Sequence, residues 1–149
     1  MKLKKVMLMA CVLCGLFTSV CTFDRFSAVS NEAIINNYMR AKSLEDALCH
    51  FVDECDLDLV KEAVKMGADV NKRDYYGDLP LYAAVLLSND KNKIEDAKKI
   101  VDFLLSEGAD PNLTHEKGIS VIDLFSMADR SCFKEIFEKY GYCVPDYME

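Results

Sequence analysis

Gly67-Ala68-Asp69-Val70-Asn71 and Gly108-Ala109-Asp110-Pro111-Asn112 are two copies of one phrase, and each closes an apolar segment of helical spacing. The first segment is Leu57 to Met66, with Leu59, Val60, Ala63 and Val64 inward. The second is Ile94 to Glu107, with Ile94, Ala97, Ile100, Val101, Leu104 and Leu105 on one helical face. Gly67 and Gly108 stand where a helix leaves through a left-handed conformation, which costs glycine nothing sterically. Further glycines, Gly77 and Gly118, follow each phrase at the same distance. One such helix ending is ordinary in any fold. Two at a fixed spacing signal stacked repeats, an architecture that builds an extended binding surface rather than a catalytic pocket.

The stretch Asp74-Tyr75-Tyr76-Gly77-Asp78-Leu79-Pro80-Leu81-Tyr82-Ala83-Ala84 carries the turn between units. Pro80 suits the first turn of a helix, where a missing N–H is harmless, Asn71 and Asp74 suit turns that bond nearby backbone, and Ala83 and Ala84 let a neighbouring helix approach. The whole pattern resembles the ankyrin repeat, which reads approximately Asp-x-x-Gly-x-Thr-Pro-Leu-His-x-Ala, two short helices, then Gly-Ala-Asp. Leu79 and Tyr82 replace the family's Thr and His, so this turn is expected to be less well tied. The next unit, Gly118-Ile119-Ser120-Val121-Ile122-Asp123-Leu124-Phe125, keeps a hydroxyl at Ser120 and loses the Pro to Val121. It ends at Gly141-Tyr142-Cys143, where the signature decays, 33 residues after Gly108. The step from Gly67 to Gly108 is 41 residues, so the middle unit holds an insertion. Its polar loop, Ser88-Asn89-Asp90-Lys91-Asn92-Lys93, is expected to enlarge the bend and lengthen the second helix at its start. It reads as a tolerated surface insertion, with a partner contact as the sharper alternative.

The resemblance covers about residues 44–143 and implies an all-α ankyrin-repeat solenoid of helix-turn-helix pairs with hairpin-like tips near 70–78 and 111–119. The units run at about 44–73, 74–114 and 115–143 within a repeat domain of 44–149. Ser43 caps the first helix, with Asp46 three residues on as a capping-box variant. Leu44, Ala47, Leu48, Phe51 and Val52 follow at helical spacing, although this first unit lacks the Thr-Pro and His. Before it, residues 29–43 read as a capping segment with Ile34, Ile35, Tyr38 and Met39 on its apolar face. In the last unit Phe133, Ile136, Phe137 and Tyr140 form an inner stripe, expected as core.

The amino terminus reads differently. Lys2, Lys4 and Lys5 precede an apolar run from Val6 to Val20, the pattern of a signal peptide over about residues 1–28. Cleavage fits after Cys21 or after Ala28. The run is short for a spanning helix, which needs about 20 apolar residues, and an uncleaved anchor is the alternative. Leu8-Met9-Ala10-Cys11 loosely resembles a lipobox, but the apolar run continues past Cys11. The expected location is exported: periplasm, cell envelope or secreted, or membrane-held by that segment if it stays attached. Cys49, Cys55, Cys132 and Cys143 lie outside the leader. Cys132 and Cys143 are expected near opposite ends of one helix, where 11 residues span about 16 Å, beyond disulfide reach. Only Cys49–Cys55 is locally conceivable.

The formal charge is −7, and the leader through Ala28 contributes +3, leaving −10 on the remainder. Such a surface repels phosphate backbones, which argues against nucleic acid and against an anionic membrane surface as partners. The run Asp53, Glu54, Asp56 and Asp58 lacks the internal Gly and terminal Glu of a calcium loop and reads as a solvated bend. No nucleophile elbow, phosphate loop or zinc spacing is present outside the leader, so neither an enzyme, a metal nor a cofactor is implied. The resemblance places partner contacts on the tips, Lys72, Arg73, Tyr75 and Tyr76 and then Leu113, Thr114, His115 and Glu116, with Tyr82 and Leu86 added by the first helix. The function expected is non-catalytic binding of another protein. An inhibitor-type role masking an enzyme, or a ligand-handling site, are the alternatives.

Overall fold

The computed structural model describes residues 33–36, 43–127 and 130–145. The leader and most of the capping segment therefore lie outside the described residues. Residues 33–36 are helical, and Ile35 is buried in the common core.

Six helices follow: α1 (Leu44–Asp53), α2 (Leu57–Lys65), α3 (Pro80–Leu86), α4 (Ile94–Ser106), α5 (Val121–Met127) and α6 (Lys134–Lys139). A turn of 3-10 helix, Leu87–Asn89, extends α3, and another, Ser131–Phe133, leads into α6. Each unit contributes one helix to each of two layers. α1 packs on α3 and α3 on α5, while α2 packs on α4 and α4 on α6. The core runs between the layers through Leu48, Val52, Val60, Leu81, Val85, Ile100, Leu104, Phe133 and Phe137. Of the stripe expected in the last unit, Phe133 and Phe137 are fully buried, while Ile136 and Tyr140 are half-buried against the core. Phe137 meets Phe125 of α5 edge-on at 5.1 Å, a favoured aromatic geometry.

Local chemistry sets the ends of these helices. Ser43 and Asp46 form a reciprocal capping box at α1. Asp56 caps α2 by accepting from the Leu59 N–H at 3.1 Å, a structural role for one of the carboxylates in the acidic bend. Pro80 opens α3, and Leu79 before it provides no side-chain cap, as the missing Thr predicts. The third unit recovers one: Ser120 Oγ accepts from the Asp123 N–H, and the Asp123 carboxylate accepts from the Ser120 N–H and hydroxyl. Those bonds hold the Asp123 carboxyl below its usual range.

The second helix of every unit ends identically. Gly67, Gly108 and Gly141 all have positive φ. The N–H of each glycine bonds three residues back and the following N–H bonds five back, at Val64 and Ala63, Leu105 and Leu104, and Glu138 and Phe137. So the turn persists at Gly141-Tyr142 although the Gly-Ala-Asp wording is lost. The insertion divides as expected. α4 has thirteen residues against nine in α2, and the bend before it contains the extra 3-10 turn. It is also bonded to its neighbours: Lys93 Nζ donates to the Asp53 carbonyl at 3.0 Å and Arg130 Nη2 to Asn89 Oδ1 at 3.5 Å.

The turn role expected of Asn71 is corrected. Asp69 makes the local turn by accepting from the Asn71 N–H at 2.9 Å. The Asn71 side chain instead crosses to the next unit, donating to the Gly108 carbonyl at 2.9 Å and accepting from the Asp110 N–H at 2.8 Å. The matching Asn112 folds back onto Asp110 Oδ1. Two hydrogen bonds are worth about 0.5–1.5 kcal/mol each. Asn71→Ala is therefore expected to destabilise by about 1–3 kcal/mol and Asn112→Ala by no more than about 0.5 kcal/mol, read by urea denaturation. Equal effects at the two positions would refute the bridging role.

Candidate functional site

The first helices and the tips meet on one face. The first tip is built by Asp74, whose Oδ1 accepts from the N–H groups of Tyr76 and Asp78, both at 2.9 Å, while the Asp74 N–H donates to the Asp78 carbonyl. Asp46 of the preceding unit accepts from the Tyr75 N–H at 2.6 Å. The second tip closes through an antiparallel bridge between Thr114 and Ser120 and a bond from the His115 N–H to the Ile119 carbonyl. The tips are joined by the Glu116 N–H donating to the Gly77 carbonyl at 3.1 Å.

The ten residues expected to contact a partner separate into three groups. Tyr75 and Tyr76 stand out, 84% and 65% exposed, with rings edge-on at 5.5 Å. Lys72, Leu113 and Glu116 are also exposed, and Leu86 is half-buried. Lys72 pairs with Glu45 at 3.2 Å. Arg73 and Thr114 are engaged with each other: Arg73 is exposed, yet its Nε donates to the Thr114 carbonyl at 3.0 Å and its Nη2 shares that acceptor. The guanidinium thus ties consecutive tips together, so Arg73 is not the stability-neutral surface residue that a turn position suggests.

His115 and Tyr82 differ from expectation. Both are buried, at 5% and 8% exposure, and their rings pack at 4.2 Å. His115 Nδ1 accepts from the Lys117 N–H at 3.1 Å, folding the imidazole under the tip. Tyr82 occupies the family's His position and fills the space between units, so its body is interior. Burial, and Asp78 nearby, push the Tyr82 hydroxyl pKa upward, with Arg130 opposing.

Sequence reasoning overlooked a cleft of about 160 Å³ on this face, between α1, the first tip and α3. Cys49, Asp53, Asp74, Asp78, Tyr82 and Leu86 line it, together with Ala83 and Leu87. Asp53 is exposed at its outer edge; partial desolvation on the cleft side pushes its carboxyl upward, His50 and Lys93 counter this, and Asp78 and Asp74 add to it. Burial and the same aspartates push the Cys49 thiol up, so it is neutral, and its Sγ contacts the Asp78 carbonyl at 3.8 Å. All four described cysteines are free thiols, so Cys49 and Cys55 do not pair. The signal available in the sequence was the pair Asp74 and Asp78 one unit after Asp53, legible only once the stacking is known.

Comparison with known proteins places this geometry. The family model described as ankyrin repeats (many copies) matches residues 46–92, and that described as ankyrin repeat matches 76–116. The ADP-ribosylation factor GTPase-activating protein AGD4 of Arabidopsis thaliana is 33% identical over 81 residues, 54% of this chain and 9% of that protein. The protein PFF1365c of Plasmodium falciparum (isolate 3D7) is 44% identical over 59 residues, 39% of this chain and 1% of its own length. The chain thus spans a small fraction of these curated relatives. Among solved structures, an ankyrin repeat domain from Acinetobacter baumannii AYE superposes with a TM-score of 0.54 at 24% identity, covering 63% of this chain and 46% of its own. The ankyrin repeat protein EF0377 does so with a TM-score of 0.54 at 22% identity, covering 62% and 46%. Because the two family matches fall on the very helices and tips that the Gly-Ala-Asp phrases delimit, this chain carries ankyrin repeats, stacked as an all-α solenoid.

Proposed function

We propose that this chain is an exported, non-catalytic protein-binding module whose first tip anchors the partner. Ankyrin repeats are protein–protein interaction modules, and the exposed Tyr75–Tyr76 pair carries the assignment of the anchor. Tyrosine combines a large amphipathic contact area with little rotamer entropy to lose, which favours it at binding hot spots. Here the backbone beneath the rings is already fixed by Asp46 and Asp74, so little further ordering is required on binding. Export rests on the basic start and apolar run of residues 1–20, which lie outside the described residues. A fusion of residues 1–30 to alkaline phosphatase is expected to be active outside the cytoplasm; an inactive cytoplasmic fusion removes that part of the reading.

The tip is tested by using the full chain as bait in an extract of its native cells. The wild type is expected to retain a specific protein, and Tyr75→Ala with Tyr76→Ala to weaken that retention by about 2 kcal/mol or more, roughly thirtyfold. Arg73 is left intact because of its bond to Thr114. The double variant should melt as the wild type does. Undiminished retention by that variant, or no retained protein at all, would refute the tip as anchor.

A further inference from the structure

The cleft beside the tyrosine tip has a chemistry of its own. At about 160 Å³ it is smaller than the roughly 300–1,000 Å³ of pockets that enclose drug-sized ligands, but it can admit one long side chain. Ala83, Leu86 and Leu87 give it an apolar wall, and Asp53, Asp74 and Asp78 bring carboxylates to it. Asp74 is committed to the turn through its bonds to Tyr76 and Asp78. The carboxylates of Asp53 and Asp78 make no hydrogen bond among the described residues. Lys93 Nζ is engaged by the Asp53 backbone carbonyl at 3.0 Å. Among the described residues no group of three or more His, Cys, Asp or Glu side chains is arranged to hold a metal ion. The half-apolar lining also contrasts with the six to eight oxygens that calcium requires.

We propose, building on the protein-binding reading above, that this cleft receives a single arginine or lysine side chain of the partner. Asp53 and Asp78 face its cationic head, and Leu86, Leu87 and Ala83 cover its aliphatic stem. Basic side chains have this divided character, a hydrocarbon stem ending in a charge. An incoming cation also offsets the negative charge that Asp53, Asp74 and Asp78 bring to one cleft. Charge complementarity at such a site contributes chiefly to specificity.

The test uses the full chain and two capped pentapeptides, acetyl-Ala-Leu-Arg-Leu-Ala-amide and its citrulline counterpart, which keeps the shape of arginine without the charge. Amide NMR shifts on titration report position and affinity. The arginine peptide is expected to move the signals of Asp53, Asp78 and Tyr82 and to bind about tenfold more tightly than the citrulline peptide. Asp53→Asn with Asp78→Asn should abolish that preference without changing the melt, because both substitutions are nearly isosteric and leave Asp74 in place. Equal binding of the two peptides, no binding of either, or an arginine preference that survives the double substitution overturns the proposal. So does calcium chloride moving the same signals and displacing the arginine peptide. The two readings fail separately. Absent charge preference with tyrosine-dependent capture intact removes only the cleft, and the reverse result removes only the tip.

Discussion

Leu104→Ala is expected to lower the stability of the folded chain by about 2–5 kcal/mol. Leu104 is completely buried, and α4 is the helix that packs on α2, α3 and α6 at once. Truncation removes the transfer free energy of the side chain and leaves a cavity that these helices can close only by moving together. Its position in the stack adds to the effect. In a repeat array each unit is held by its neighbours, and three units are near the minimum for an independent stack. Loss of packing in the middle unit weakens both interfaces, so the transition should remain single while its midpoint falls. With a denaturant slope of about 2 kcal/mol per molar urea, the shift is about 1–2.5 M. Leu113→Ala, on the exposed part of the second tip, serves as the control and should change stability by no more than about 0.5 kcal/mol. A Leu104→Ala effect no larger than that of the control would show that α4 is not the centre of the core.

The elements that could be read from the amino-acid sequence share one property: each depends on residues a few positions apart. The Ser43–Asp46 cap, the helix exit at Gly67, the Pro80 start and the division of the insertion all follow from spacing within a single helix or turn. What could not be read depends on the register between units. Asn71 meets Asp110, and Arg73 meets Thr114, because the middle unit advances the pattern by 41 residues rather than 33. A turn residue looks the same in sequence whether its side chain bonds its own loop or the next one. The burial of His115 arises in the same way. A histidine in a tip is exposed by default, but Tyr82 at the preceding helix presents a ring against which it packs at 4.2 Å. The acidic cleft is likewise assembled from a helix end in one unit and a tip in the next. By contrast, Tyr75 and Tyr76 were legible as exposed, since a turn fixed by Asp74 leaves its central side chains without an interior to enter.

The junction between tips gives the sharpest test of this stacking. Gly77 has φ +84°, and a Cβ built on it would lie 2.6 Å from the Cβ of Glu116. Gly67 has φ +102° with nothing within 4 Å of such a Cβ. An L-residue in the left-handed region costs about 1–2 kcal/mol, and Gly67→Ala should cost that and no more. Gly77→Ala bears the same backbone penalty and must also displace the second tip, weakening the bond from the Glu116 N–H to the Gly77 carbonyl at 3.1 Å. Such a bond contributes about 1 kcal/mol, so the total expected is about 2–4 kcal/mol. A double-mutant cycle separates the two contributions. Glu116→Ala retains the clashing Cβ and should not rescue Gly77→Ala, whereas Glu116→Gly removes it and should recover about 1 kcal/mol or more of coupling. If Gly67→Ala and Gly77→Ala cost the same, and Glu116→Gly shows no coupling to Gly77, the tips do not touch and the stacking of the middle unit on the third is different from the one described.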